Sequence, residues 1–195
     1  MLKTNAQVLL ELQGVVKTFG ATVALSNVNF DLRTGEIHAI CGENCAGKST
    51  LIKIMAGAIK PDVGKLLIEG KVIEDNTPRL SLQNGIATIY QENSLFQHLS
   101  VAENIFVGSE LCYATNLVDR KNMERAAVEI FERLGVDIDV TAKVSTLGGA
   151  SQKIVEIARA FRQRARVLIM DEPSASFGHH ETRMLFDVVR GIVAL

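Results

Sequence analysis

Gly42-Glu43-Asn44-Cys45-Ala46-Gly47-Lys48-Ser49-Thr50 spells G-x-x-x-x-G-K-[ST] between an apolar run and a helical one. That spelling and context point to a bound nucleotide phosphate. The glycines let backbone N–H groups curl around phosphate oxygens, and Lys48 adds a mobile ammonium. The helix that follows offers its first N–H donors and the positive end of its dipole. Ser49 would hold magnesium. Upstream, Glu36-Ile37-His38-Ala39-Ile40-Cys41 reads as a buried strand; downstream, Leu51, Ile52 and Met55 read as one helix face that stops at Gly57.

The rest of the composition fits a folded enzyme or binding domain. With 195 residues, 47% of them apolar, the chain can bury a substantial core as one large domain or as a core with an inserted subdomain. The net charge is −1, with acids and bases interspersed, so nothing in the charge pattern argues for nucleic acid or an anionic membrane surface. Cys41, Cys45 and Cys112 are odd in number and lack metal-ligand spacing, which suggests a reducing compartment. No apolar stretch approaches the ~18 to 20 residues that span a bilayer. The N-terminus has only Lys3 ahead of a short apolar run broken by Glu11, unlike a secretory signal.

From Val8 to Ile73 the pattern is mainly of short strands: Val8–Leu12, Val15–Phe19, Val28–Leu32, Ile37–Cys41, Lys65–Glu69 and Lys71–Ile73. Gly20, Thr34-Gly35, Pro61-Asp62 and Gly70 mark turns between them. Between Ser100 and Arg164 the period becomes helical. Met123, Ala126, Ala127, Ile130, Phe131 and Leu134 form one face between an Asp119 cap and Gly135. A second helix is expected over about Gln152–Arg162 with Ser151 at its cap. Arg166–Asp171 returns as an apolar strand, and a last helix over about Glu181–Val193 turns Met184, Leu185, Val188, Val189 and Ile192 inward.

An apolar run ending in Asp171-Glu172 has a chemical meaning beside a phosphate-binding loop. The first carboxylate can orient magnesium, and the next can accept a proton from an attacking water. Gln91, just after the strand Ile86–Ile89, is a third candidate.

In this order the landmarks resemble the ATP-binding subunit of an ABC transporter, and the resemblance covers nearly the whole chain. Phe19 matches the aromatic that stacks on adenine, Gly42 to Thr50 match Walker A, and Gln91 in Ile89-Tyr90-Gln91-Glu92 matches the Q-loop. Val167 to Glu172 match Walker B with its catalytic glutamate. Three stretches are similar to monosaccharide importers of the ribose, galactose and xylose type: Gly42-Glu43-Asn44, Leu99 to Gly108, and Val155-Glu156-Ile157-Ala158-Arg159-Ala160. Those ATPases carry two tandem nucleotide domains, and this chain resembles the first.

The resemblance implies an α/β fold: a P-loop NTPase core with an N-terminal antiparallel β subdomain and an inserted helical subdomain. It places the β subdomain and P-loop core at about 1–90, the helical subdomain at about 95–164, and the Walker B strand with its following helix at 165–195. ATP and Mg2+ are the implied cofactors. Residues 42–50 (Gly42, Glu43, Asn44, Cys45, Ala46, Gly47, Lys48, Ser49 and Thr50) and Phe19 would bind nucleotide, and Ser49, Gln91 and Asp171 would serve the metal. Glu172 and Gln91 would be catalytic. Membrane permease subunits and a second nucleotide-binding domain are the implied partners, at the cytoplasmic face of the membrane, with no nucleic acid.

Several residues depart from the family pattern. The signature that presents a serine to the opposite domain's γ-phosphate is here Leu147-Gly148-Gly149-Ala150-Ser151, with Gly148 where the hydroxyl should be. Cys45 stands where a third glycine is usual, so a Cβ would crowd the phosphate. Ser174-Ala175-Ser176-Phe177-Gly178 alters the D-loop, and His179 and His180 are expected to be solvated rather than ligands. The strand ending in the family's switch histidine is not in the sequence. It would lie between the P-loop and Walker B strands, so two apolar strand edges are expected to be left unpaired.

The sequence therefore reads first as the energy-coupling ATPase of a sugar importer, truncated before the switch histidine. The alternative is a nucleotide-binding module that holds ATP without productive hydrolysis. A soluble ABC-type ATPase of DNA repair or translation is disfavoured by the absence of a basic patch and of a coiled-coil insertion. A GTPase is disfavoured by the absence of an Asn-Lys-x-Asp motif.

Overall fold

A computed structural model describes residues 7–43, 46–92, 94–175 and 177–194. The chain divides into two compact units, residues 1–88 with 165–171, and residues 89–164 with 172–195.

In the first unit, β1 (Val8–Phe19) and β2 (Thr22–Arg33) form an antiparallel hairpin that turns at Gly20-Ala21. β3 (Val63–Ile68) pairs antiparallel with the other edge of β1 and then with β4 (Lys71–Val72), giving the order β2-β1-β3-β4. The two strands expected at Val8–Leu12 and Val15–Phe19 are one strand whose register slips around Gly14. Gly64 makes this slip possible. At its φ of +95° a Cβ would lie 2.6 Å from the Gln13 carbonyl oxygen, so β3 can approach the bulge only with glycine there.

Helix α1 (Lys48–Met55) buries Leu51, Ile52, Ile54 and Met55 against the apolar face of this sheet, including Leu10, Leu12 and Val15. Each such side chain contributes roughly 1.5–3 kcal/mol of transfer free energy. β5 (Ile86–Ile89) and β6 (Val167–Met170) form a separate two-stranded sheet, whose Ile86, Val167 and Ile169 join the same core. Helix α2 (Pro78–Gln83) was not expected from periodicity, since six residues are too few to show one. Its signal is local: the Thr77 hydroxyl accepts from the Leu80 N–H at 3.2 Å and Pro78 fits the first turn.

Glu36–Cys41 corrects the sequence reading. It has no regular secondary structure and belongs to neither sheet, and Ile37 and Ile40 are 56% and 36% exposed rather than buried. The apolar composition predicted a core strand, but among the described residues no strand hydrogen-bonds to it as a neighbour. The His38 ring packs on Phe30 with centroids 4.8 Å apart, a local contact in place of a ladder.

The second unit is helical. A capping box between Ser100 and Glu103 starts α3 (Val101–Phe106), and Asp119 caps α4 (Arg120–Leu134) by accepting from the Asn122 N–H at 3.0 Å. Met123, Ala127, Phe131 and Leu134 are buried along α4, as its apolar stripe predicts. Val144–Thr146 form a 3-10 turn ahead of α5 (Gly149–Arg162), and α6 (His179–Ala194) buries Leu185, Val188 and Val189. Helix α5 begins earlier than expected. Gly148 is its N-cap and makes no side-chain cap, so Ser151 lies inside the first turn rather than at the cap.

Candidate nucleotide site

The loop ahead of α1 is shaped by one glycine and one lysine. Gly47 is the helix N-cap in a left-handed conformation, φ +86°, where a Cβ would lie 2.5 Å from the Ala24 carbonyl oxygen. Only glycine fits that approach. The Lys48 ammonium turns back over the loop and donates to the carbonyl oxygens of Gly42 and Glu43, each at 2.7 Å. The Ala46 N–H donates to the Glu43 oxygen at 3.2 Å, which closes the turn. Helix α1 has no acidic residue in its first turn and no side-chain cap, so its leading N–H groups and dipole remain available to an anion. Asn44 and Cys45 lie outside the described residues.

Ser49 is exposed and Thr50 partly buried at the start of α1, and Asp171 follows β6 within the same unit. A hydroxyl and a carboxylate are hard oxygen donors suited to magnesium, which keeps several waters and takes few protein ligands. Among the described residues no group of three or more His, Cys, Asp or Glu could hold a metal, and His179 and His180 are exposed at the start of α6. Cys41 and Cys112 are exposed free thiols.

Phe19 is 51% exposed at the hairpin end of β1, with the Lys17 ammonium over its ring at 5.6 Å. Gln91 and Glu172 belong to the second unit and are both exposed; Glu172 sits at a left-handed φ of +46°. Residues on either side of Gln91 are anchored to α5. The Tyr90 carbonyl accepts from Lys153 Nζ at 2.7 Å, and the Glu156 carboxylate accepts from the Ser94 N–H at 2.9 Å and from its hydroxyl at 2.6 Å.

In the segment Leu147–Ser151, no hydroxyl caps the helix. The Gln152 side-chain amide instead donates to the carbonyls of Leu147 at 3.0 Å and Val144 at 3.2 Å. A Cβ on Gly149 would meet the Phe177 ring at 3.1 Å.

Asp62, Gln152, Lys153 and Glu156 were not singled out for a role in the sequence, Asp62 standing there only as a turn residue and Glu156 only within the stretch Val155–Ala160. Lys153 and Glu156 could have been, because charged residues three apart on an otherwise apolar helix signal a buried pair. Asp62 reads as an ordinary turn residue after Pro61, and its partners lie more than forty positions away in the chain.

These features define a nucleotide-binding cassette of the P-loop ATPase fold. A family model described as "ABC transporter" matches residues 25–175. The chain is 50% identical over 182 residues to a ribose import ATP-binding protein of Rubrobacter xylanophilus, covering 93% of this chain and 36% of that protein. It is 47% identical to a putative ribose/galactose/methyl galactoside import ATP-binding protein of Agrobacterium fabrum, covering 100% of this chain and 38% of that one. Among solved structures, the ADP conformation of an ATP-binding cassette of an ABC transporter superposes with a TM-score of 0.84 at 28% identity, over 96% of this chain and 77% of the other. A nucleotide-free cassette superposes with a TM-score of 0.80 at 27% identity. The chain belongs to the ABC transporter family. It spans little more than a third of the length of the curated relatives it matches.

Proposed function

We propose that this chain is the ATP-binding and ATP-hydrolysing cassette of a monosaccharide importer. The observation that supports it best is the loop built on left-handed Gly47, with Lys48 poised at its mouth by the Gly42 and Glu43 carbonyls. Backbone N–H groups of residues 46–50 and the Lys48 ammonium would bind the phosphates, and Phe19 would stack on the adenine. Ser49 and Asp171 would hold Mg2+, with Gln91 beside the γ-phosphate; the ion would neutralise charge developing on the phosphate oxygens. Glu172 would orient or deprotonate the attacking water.

The names of the relatives support import of ribose or a similar sugar, with permease subunits and a second nucleotide-binding domain as partners. Among the described residues no helix is long and apolar enough to cross a membrane. A peripheral place on the cytoplasmic face, against the permease, fits that reading. Leu147–Ser151 would face nucleotide held by the second domain.

Gly148 favours a second reading, a cassette that binds ATP without productive turnover, because the signature position has no hydroxyl to offer. Calorimetric titration with MgATP followed by single-turnover hydrolysis separates the two. Binding with turnover that Glu172→Gln abolishes supports the ATPase; binding with no turnover supports the second reading; no binding overturns both. Co-purification with permease subunits tests the transport assignment.

A further inference from the structure

We infer that Asp62 is a positioning residue for the nucleotide base: its carboxylate clamps the end of β1 so that the Phe19 ring is presented in one orientation. The inference rests on reading Phe19 as the base platform.

Phe19 is the last residue of β1, one step from the turn of its hairpin, where strand ends are least restrained. Among the described residues no strand holds its other edge, because β3 reaches β1 only as far as the pair Val16 with Val63. Asp62, immediately before β3, completes that edge. Its N–H donates to the Val16 carbonyl at 2.9 Å. One carboxylate oxygen accepts from the Thr18 N–H at 2.7 Å and from the Thr18 hydroxyl at 2.8 Å. The other oxygen accepts from Lys17 Nζ at 2.6 Å.

A side chain thus stands where a strand carbonyl would be, and it fixes the two residues that precede the ring. Lys17 links the clamp to the ring directly, since the same ammonium lies over Phe19 at 5.6 Å. The ring remains half exposed beside this anchored backbone, as a stacking surface requires. Lys17 and the Thr18 donors also hold the Asp62 carboxyl at about 2, so the clamp stays ionised at any physiological pH.

A clamp that serves the base should affect ligands with a base and spare those without one. The full chain is titrated with MgATP and with magnesium tripolyphosphate. Phe19→Ala should weaken ATP about tenfold and leave tripolyphosphate within about twofold. Asp62→Ala should weaken ATP by about three- to tenfold with the same sparing of tripolyphosphate, and should add nothing in the Phe19→Ala background. Thr18→Val, which removes one donor and keeps the carboxylate, should shift ATP in the same direction by a smaller factor. It carries the test if Asp62→Ala does not fold. Equal losses for both ligands, or an Asp62→Ala or Thr18→Val protein that binds ATP like the parent while Phe19→Ala does not, overturn the clamp. Unchanged ATP affinity in Phe19→Ala overturns the platform reading and the clamp with it.

Discussion

Lys153 and Glu156 form an ion pair of 2.8 Å within α5, with 11% and 1% of their side chains exposed. Each also bonds to the segment that contains Gln91: Lys153 to the Tyr90 carbonyl, Glu156 to Ser94, whose hydroxyl and carbonyl also accept from Arg159. Buried charges persist where each is paired and hydrogen-bonded. Here that condition ties the residues flanking Gln91 to α5, the helix that begins within the segment Leu147–Ser151.

Removing one member should therefore cost more than removing both. Glu156→Ala leaves the Lys153 ammonium buried without its anion and is expected to destabilise by about 3–5 kcal/mol, whereas the double change Lys153→Met with Glu156→Leu should cost less. Urea unfolding of the singles and the double checks this. A double variant no more stable than Glu156→Ala would contradict it.

Lys48→Ala removes a cation from the loop and nothing from the core. Its stability should change by under about 1 kcal/mol, and its affinity for MgATP should fall by roughly ten- to a hundredfold, the worth of charge-assisted bonds to phosphate. Calorimetry alongside a thermal melt reads both; a large loss of stability would show that the Gly42 and Glu43 contacts hold the loop together.

Asp62 also makes a pH signature. Its folded carboxyl titrates at about 2 against an ordinary 3.8, a depression caused first by Lys17 and then by Thr18. The stabilisation is complete above the unfolded value and is lost as pH falls from about 4 to about 2. Asp62→Asn should flatten that part of the curve of unfolding free energy against pH. An unchanged slope would place the acid sensitivity elsewhere, for example at Glu69, which Arg166 holds low in the same way.

Gly148 has an N-cap backbone, φ −65° and ψ 158°, close to that of Ser100, whose hydroxyl does cap its helix. A Cβ there would meet nothing within 4 Å. Gly148→Ser should therefore stabilise by a few tenths of a kcal/mol, while Ser151→Ala, inside the first turn, should change little. Melting temperatures decide, and a loss on Ser151→Ala larger than about 1 kcal/mol would restore Ser151 as the cap.

What could be read in advance follows the range of the physics involved. The start of α1 at Gly47-Lys48, the α4 stripe between Asp119 and Gly135, and the strand at Val167–Met170 are specified by residues close together in sequence, and all were legible. The exposure of Ile37 and Ile40 was not. Periodicity reports that a segment is apolar, but burial of a strand depends on which neighbours pair with it. Asp62 was invisible for a similar reason, since its partners belong to a strand more than forty residues earlier. The shift of the α5 start from Ser151 to Gly148 is a smaller case. Glycine and serine both suit an N-cap, and only the backbone angles distinguish them.

The Lys48 ammonium has a further consequence for how fast and how well an anion enters the loop. A free lysine side chain loses up to about 2 kcal/mol of rotamer entropy when it is fixed. Two carbonyl acceptors at 2.7 Å restrict this one in advance, so that loss is largely incurred during folding rather than at the encounter. A phosphate bound as proposed would exchange those carbonyl contacts for its own oxygens, and would have to be anionic enough to outcompete two neutral dipoles. If the loop takes nucleotide phosphates as proposed, it would discriminate by charge density, with polyphosphates favoured over weakly charged ligands of similar shape.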